Sequence, residues 1–218
     1  MNGIPRLLVV AHGTASPEGS ATTARLVDAV RAARPDVLVD LCFLDVVDPR
    51  LETVLDDRST IVVPLLLSTG YHVQTDIPAA VAGYPTVTVA RHLGPDPLLV
   101  DALLDRLPAE SGGSVVLVGA GSSRAEAADE LAEMGTQLSG RLGLPVRVSN
   151  LGEDVRGALE QLPAPVRLAT YLLTEGQFVT SLRAAAEGIA TVAEPLGVHP
   201  ALVQLVWQRY DEAGKPTG

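Results

Sequence analysis

The sequence predicts an α/β fold that consists of two copies of one parallel-sheet unit. Short apolar runs alternate with longer segments of helical periodicity, which is typical of parallel strands joined by helices. The segment LLVVAHGT at 7–14 returns as VVLVGAGSS at 115–123, and PLLLSTGYHVQTDIP at 64–78 returns as TYLLTEGQFVTSL at 170–182. The closing segments HLGPDPLLVDALL and PLGVHPALVQLVW match as well. We therefore expect a duplicated α/β chain.

The elements follow in the same order in both halves. In the first half the apolar runs predict strands at 7–10, 37–43, 60–66 and 86–89, with helices at 21–33, 49–56, 75–82 and 95–107. In the second half we expect strands at 115–118, 146–150, 166–173 and 189–193, with helices at 124–142, 154–162, 178–187 and 199–210. The polar stretch AESGGS at 109–114 has the composition of a linker. The predicted domains are 1–108 and 115–210.

Composition and charge narrow the possible functions. The 218 residues carry a formal charge of −10, and Lys215 is the single lysine, so we expect no nucleic acid partner. No apolar run approaches the ~18 residues of a membrane span, and the expected location is the cytoplasm. The single cysteine, Cys42, lies in the apolar run VLVDLCFL and is predicted to be a buried strand residue. Local arginines still allow an anionic small molecule to bind.

Three polar residues of the first half follow three predicted strands. His12 follows the first strand, Asp45 the second and His72 the third, and ligands of parallel sheets bind beyond the carboxyl ends of the strands. Two imidazoles and a carboxylate suit a divalent first-row metal, and imidazoles also accept protons near neutral pH. Asp48 is the alternative to Asp45, although it could instead cap the helix that starts at Pro49.

The second half lacks these groups. The positions of His12 and His72 are taken by Ala120 and Phe178, and that of Asp45 falls at roughly Leu151. Because both histidines are kept on the same side of the repeat, we expect one shared chemical site in the first half.

Other polar residues have weaker signals. We expect His92 and His199 to be surface or turn histidines, and Asp76 either to open or cap the following helix or to have a functional part. The GAGSS segment lacks a complete phosphate-binding pattern and predicts a tight turn. Four arginines near strand ends are candidates for binding a substrate carboxylate, with simple solvation as the alternative: Arg50, Arg91, Arg124 and Arg183.

Taken together, these motifs resemble a known family. AHGT with His12, FLD with Asp45, PLLLSTGYHVQTDIP with His72 and the HLGPDPLL segment are similar to the class II tetrapyrrole chelatases, the CbiX/SirB sirohydrochlorin chelatase group. The resemblance implies a chelatase-like fold of two similar α/β domains related by a pseudo-twofold axis, with the active site in a cleft between them. It also implies a lyase that inserts Co(II), Fe(II) or Ni(II) into sirohydrochlorin without ATP, in cobalamin or siroheme biosynthesis.

The resemblance further implies roles for individual residues. His12 and His72 would be catalytic and, with Asp45 at the position of the family's glutamate, would bind the metal. Arg124 would hold substrate carboxylates. Further substrate contacts are expected from the adjoining loop residues Gly13, Thr14, Ser68, Thr69, Gly70 and Tyr71.

The expected partners are small molecules. The metal would be a substrate, no nucleotide or organic cofactor would take part, and the chain would act as a monomer or homodimer. Two alternatives stay open at this point. One is a non-catalytic tetrapyrrole or metal carrier, which the Asp at position 45 suggests. The other is a histidine phosphatase, for which the expected arginine before His12 is missing.

Overall fold

The computed structural model describes residues 3–109, 112–122 and 124–215. Glu110 and Ser111 of the predicted linker and Ser123 of the second-half turn lie outside the described residues. The elements of the first half are β1 (Arg6–Ala11), α1 (Pro17–Ala33), β2 (Val39–Phe43), α2 (Leu51–Val54), β3 (Thr60–Pro64), a π-helical turn (His72–Asp76), α3 (Ile77–Val81), β4 (Val87–Val89) and α4 (Pro97–Arg106). Those of the second half are β5 (Ser114–Gly119), α5 (Ala125–Leu142), β6 (Val146–Asn150), α6 (Val155–Glu160), β7 (Val166–Tyr171), α7 (Gln177–Ala186), β8 (Ala190–Val192) and α8 (Pro200–Ala213).

The strands form two parallel sheets with the same topology. One sheet has the order β2-β1-β3-β4 and the other β6-β5-β7-β8, and every pairing is parallel. All six residues of β1 and all six of β7 are buried, as expected for central strands covered on both faces. The α/β prediction with a duplicated parallel sheet is therefore confirmed.

Each sheet lies in its own compact unit, and the two units exchange their closing helices. The first unit comprises residues 1–93 and 198–218, and the second comprises residues 94–197. Helix α8 packs on α1 and β3 in the first unit, while α4 packs on α5 and β7 in the second. The compact units therefore differ from the sequence repeats 1–108 and 115–210, because each repeat ends in a helix that completes the other unit.

Helix boundaries follow local capping. Helix α1 begins at Pro17, four residues before the predicted start, because Ser16 is the N-cap and its Oγ accepts a hydrogen bond from the Gly19 N–H at 3.2 Å. The first-unit core includes Leu8, Val10 and Cys42. Cys42 is fully buried as predicted, and its burial raises the pKa of the thiol to about 12. No helix among the described residues is long and apolar enough to cross a membrane.

A buried arginine anchors α8 in the first unit. The Arg209 side chain is 0% exposed, and it donates to the carbonyl oxygens of His92 at 3.0 Å and Leu93 at 2.7 Å. On the same helix, the Trp207 indole N–H donates to Val30 O at 3.2 Å. The guanidinium thereby fixes the segment directly after β4. At this point the chain passes from the first unit to α4 in the second unit.

We expect the substitution Arg209→Met to lower the free energy of unfolding by about 2–5 kcal/mol, because it removes charge-assisted hydrogen bonds from a site that excludes water. Urea unfolding followed by circular dichroism measures this loss. Gln204→Ala, on the exposed side of the same helix, is the control and should change the value by less than ~0.5 kcal/mol. Equal urea midpoints for Arg209→Met and the wild type would contradict the anchoring role.

Candidate functional site

The site lies where the chain leaves two neighbouring strands in opposite directions. In the order β2-β1-β3-β4, β1 leads by way of α1 to β2 on one side, whereas β3 leads by way of α3 to β4 on the other. Such a switch point opens a crevice at the carboxyl ends of the strands. His12 follows β1 directly, and the segment 68–72 follows β3 after a short connection.

Two imidazoles meet at this point. The ring centroids of His12 and His72 are 4.7 Å apart, and the ring planes are nearly perpendicular at 80°. His12 is exposed, and the His72 side chain is 29% exposed. The structure thus brings together the two histidines that the sequence singles out.

Hydrogen bonds define which nitrogen of each ring is available. His12 Nδ1 lies 3.0 Å from the carbonyl oxygen of Gly13, and His72 Nδ1 lies 2.5 Å from Asp76 Oδ2. A carbonyl or carboxylate oxygen only accepts, so in the neutral rings Nδ1 carries the proton. The lone pair of each neutral imidazole is therefore on Nε2, which is the arrangement found in histidines that bind metals.

The backbone of Asp45 lies next to that of His12. Its N–H donates to His12 O at 2.8 Å, but its carboxylate accepts from the Val46 N–H at 2.7 Å and from Arg50 Nη1 at 3.1 Å. These contacts, with the Val46 hydrogen bond as the largest influence, hold the pKa of Asp45 below its usual value, and His12 acts in the same direction. Asp45 therefore carries a negative charge at neutral pH next to the histidine pair.

The predicted three-residue ligand set is not assembled in this conformation. Within the part of the chain that the structure describes, no three side chains of His, Cys, Asp or Glu are grouped so that they could hold one metal ion. The histidines are together, whereas the Asp45 carboxylate is engaged by Arg50. Asp45 as third ligand stays a prediction.

The alternative residue, Asp48, does not cap the helix that follows. Helix α2 begins at Leu51 with Arg50 as its N-cap residue, two residues later than the predicted start at Pro49. The Asp48 carboxylate is 88% exposed and lies 3.7 Å from Arg50 Nε. The predicted capping role is therefore wrong, because the helix starts too far along the chain for Asp48 to reach its first free N–H groups.

The glycine after His12 permits the close approach of the Asp45 loop. Gly13 has φ +98°, a conformation that L side chains rarely adopt, and a Cβ there would overlap the Asp45 carbonyl oxygen. Thr14 is used locally, since its Oγ1 accepts from the Ser16 N–H at 3.1 Å. Gly13 thus allows the turn that follows His12 to pack closely against the loop that contains Asp45.

The loop after β3 is tied to a buried histidine. Thr69 Oγ1 lies 3.2 Å from His92 Nε2, and His92 is only 7% exposed. The surface alternative is therefore wrong for His92, which is buried beneath the loop, whereas its place in the irregular segment between β4 and α4 agrees with the turn alternative. Ser68 and Gly70 are half-buried, and Tyr71 is 60% exposed.

His199 has a structural role in its turn. It is the N-cap of α8, and its Nδ1 accepts from the Ala201 N–H at 3.1 Å. This use of a histidine as a cap agrees with the turn position expected from the sequence.

The four candidate arginines differ in how their charge is balanced. Arg183 forms an ion pair with Glu175 at 2.8 Å and another with Glu194 at 3.0 Å. Arg50 is held by Asp45 and Asp48. Arg91 is exposed, and Arg124 is a half-buried N-cap residue of α5 that makes no side-chain capping bond. Of the four, Arg183 and Arg50 are occupied by acidic neighbours.

The second unit repeats the frame of the site without its chemistry. Leu44 N–H donates to Ala11 O in the first unit, and Leu151 N–H donates to Gly119 O in the second. This register makes Gly152, one residue beyond the predicted Leu151, the counterpart of Asp45. The counterparts of His12 and His72 are Ala120 and Phe178, and Phe178 is 56% exposed.

The fold and the site define a class: a duplicated parallel α/β protein with an imidazole pair at the switch point of one sheet. The family model CbiX matches the chain twice, over residues 6–110 and 114–213. The chain therefore belongs to the CbiX family, and both matches fall on the repeats seen in the sequence. The search of curated proteins gives no match.

Solved structures share the fold along nearly the whole chain. The sirohydrochlorin chelatase SirB from Bacillus subtilis subspecies spizizenii, in complex with cobalt, has a TM-score of 0.79 at 22% identity and covers 96% of this chain and 94% of its own. SirB from Bacillus subtilis with Fe3+ has a TM-score of 0.77 at 22% identity, with 96% of each chain covered. CbiX, described as the terminal enzyme for biosynthesis of siroheme in denitrifying bacteria, has a TM-score of 0.74 at 21% identity over 96% of this chain and 100% of its own.

We expect Gly13→Ala to lower the free energy of unfolding by about 1–3 kcal/mol and to weaken Co(II) binding, since the added Cβ forces the Asp45 loop away from His12. Urea unfolding and a Co(II) titration of the same preparation measure the two effects. Gly83→Ala is the matched control, because a Cβ there meets no atom within 4 Å. Wild-type stability and Co(II) affinity in Gly13→Ala would disprove the coupling.

Proposed function

We propose that the protein is a sirohydrochlorin chelatase, which inserts a divalent metal into sirohydrochlorin without ATP. The observation that carries this proposal is the pair of imidazoles of His12 and His72, 4.7 Å apart at the switch point of the first sheet. Membership of the CbiX family supports it. So do the structural relatives, one of which is a sirohydrochlorin chelatase with cobalt.

The reaction requires groups that first bind a metal and then accept protons. Insertion releases two protons from the pyrrole nitrogens, so that the metal-free macrocycle and M²⁺ give the metallated macrocycle and two H⁺. In the neutral rings of His12 and His72, Nε2 has the lone pair, and it can hold M²⁺ before transfer. Once the metal has left, the same nitrogens accept the released protons.

The substrate carries eight carboxylates on an apolar ring, and two kinds of residue suit it. Arg124 lies on the loop after β5, at the position that Ser16 occupies in the first unit, and is the proposed carboxylate-binding residue. The exposed ring of Tyr71 is suited to contact with the flat macrocycle. Gly13, Thr14 and 68–70 supply backbone and hydroxyl groups around the histidines.

The metal is proposed to be Co(II) or Fe(II), with Ni(II) as a further candidate. Imidazole nitrogen and carboxylate oxygen accept all three metals, and selectivity among them in cells depends on metal availability and site geometry more than on raw affinity. We therefore expect the metal that is most available in the cell to decide which product forms.

One observation favours a second candidate, a carrier that binds tetrapyrrole or metal without turnover. The Asp45 carboxylate is held by Val46 and Arg50, and among the described residues it forms no three-residue ligand group with the histidine pair. A carrier would bind sirohydrochlorin tightly and leave the rate of metal insertion at the spontaneous value.

The decisive experiment mixes purified protein with metal-free sirohydrochlorin and Co(II) or Fe(II) under anaerobic conditions and follows the loss of the metal-free absorbance. We expect the wild type to accelerate this loss, and His12→Ala and His72→Ala each to lower the rate ~100-fold or more, in the range found when a group that transfers protons is removed.

The matched control removes a histidine elsewhere in the first unit. His199→Asn keeps a side chain that can cap α8 and should retain the wild-type rate. Wild-type rates in both histidine-to-alanine variants would refute the mechanism. Tight sirohydrochlorin binding with no acceleration by the wild type would select the carrier.

A separate pair of variants tests the third ligand. We expect Asp45→Ala to raise the Co(II) concentration at half-maximal rate ~10-fold or more, because the metal loses a negatively charged neighbour or ligand. Asp48→Ala removes the same charge from a position that is 88% exposed and should leave that concentration unchanged. The reverse pattern would assign the ligand role to Asp48.

A further inference from the structure

We propose that Asp76 is a positioning residue that sets the tautomer and the ring orientation of His72, so that Nε2 faces the metal substrate. This inference rests on the proposed function and deepens it. Asp76 does not touch the metal in this scheme. It acts through the imidazole alone.

The contact that carries the proposal is short and specific. Asp76 Oδ2 lies 2.5 Å from His72 Nδ1, and Asp76 makes no side-chain hydrogen bond to cap the helix that follows it. The capping role that the sequence offered as one alternative is therefore not its use in the structure. The carboxylate is 39% exposed, so its position is not explained by packing in the core.

The two histidines are supported differently. His12 Nδ1 faces a neutral carbonyl oxygen of Gly13, whereas His72 Nδ1 faces a charged carboxylate. A carboxylate behind a metal-binding imidazole fixes the tautomer and increases the electron donation of the other nitrogen. His72 is therefore expected to bind the metal more strongly than His12.

The backbone conformation brings His72 and Asp76 together. Residues His72–Asp76 form a π-helical turn in which the Ile77 N–H donates to His72 O, and π turns occur often at functional sites. In the second unit the equivalent residues lie on the regular helix α7, where Leu182 is 0% exposed.

The π turn shifts the buried position by one residue. Leu182 is the sequence counterpart of Asp76, yet the residue buried at 0% in the first unit is the next one, Ile77. The additional residue in the wider turn moves position 76 from the core to the site. The imidazole, the carboxylate and the turn are present together in the first unit, and all three are replaced in the second.

The test is a double-mutant cycle read by Co(II) binding without sirohydrochlorin, using the visible absorption of the bound ion. We expect Asp76→Ala to weaken Co(II) binding ~10–100-fold in the wild-type background. In the His72→Ala background the same substitution should change the affinity less than ~2-fold, because a residue that acts only through His72 has nothing left to position.

Steady-state kinetics supply a second measurement. Asp76→Ala should raise KM for Co(II) and leave KM for sirohydrochlorin unchanged, a split that general loss of structure would not produce. Asp76→Asn keeps the side-chain volume and protects the test if the alanine variant is unstable. Its amide can present an N–H to Nδ1 and favour the wrong tautomer, so it should also lose Co(II) affinity. Gln74→Ala, an exposed residue of the same turn, is the control and should match the wild type.

Two outcomes would overturn the proposal without contradicting the proposed function. One is wild-type Co(II) affinity in both Asp76 variants while His72→Ala is impaired. Another is an equal loss from Asp76→Ala in both backgrounds, which would identify Asp76 as an independent metal ligand. If the wild-type protein fails to accelerate insertion, the proposed function fails, yet the Co(II) cycle still decides the role of Asp76.

Discussion

The site depends on the topological constraint that β1 and β3 are neighbours whose connections leave in opposite directions. This arrangement leaves the carboxyl ends of two central strands uncovered, and the first residues beyond them approach each other. His12 and His72 reach a centroid distance of 4.7 Å for this reason, although sixty residues separate them. The Asp45 backbone packs closely on His12 and Gly13. The end of β2 thereby also lies next to the histidine pair.

Comparison of the two units distinguishes the residues that the turns after β1 and β5 require from the residues that differ between the units. Both units have a positive-φ glycine after the first strand, at Gly13 and Gly121, and both form a hydrogen bond from a backbone N–H to a hydroxyl two residues earlier, at Ser16 and at Arg124. The second unit keeps these bonds with Ala120 in place of His12. The imidazole of His12 is therefore not required by the turn.

The sequence predicted the fold class, the order of the strands along the chain and the proximity of His12 and His72, because hydrophobic periodicity and an internal repeat are local signals. It did not predict the exchange of closing helices between the units, since apolar faces on α4 and α8 do not say which sheet they cover. It also allowed a surface position for His92 and a capping role for Asp48, and both are wrong. The burial of His92 under Thr69 and the late start of α2 depend on tertiary contacts that no neighbouring residue reveals.

Asp76 shows why a helical period can conceal a functional residue. The spacing of four residues from His72 fits one face of an ordinary helix, where an aspartate before Ile77 and Pro78 resembles a capping residue. A π turn alters this interpretation, because one additional residue per turn changes which positions face the core. The aligned residue of the repeat, Leu182, is fully buried, so an unshifted helix would bury a carboxylate at considerable cost. The wider turn avoids that cost and leaves the carboxylate beside the imidazole. The irregular backbone and the His72–Asp76 pair therefore depend on each other.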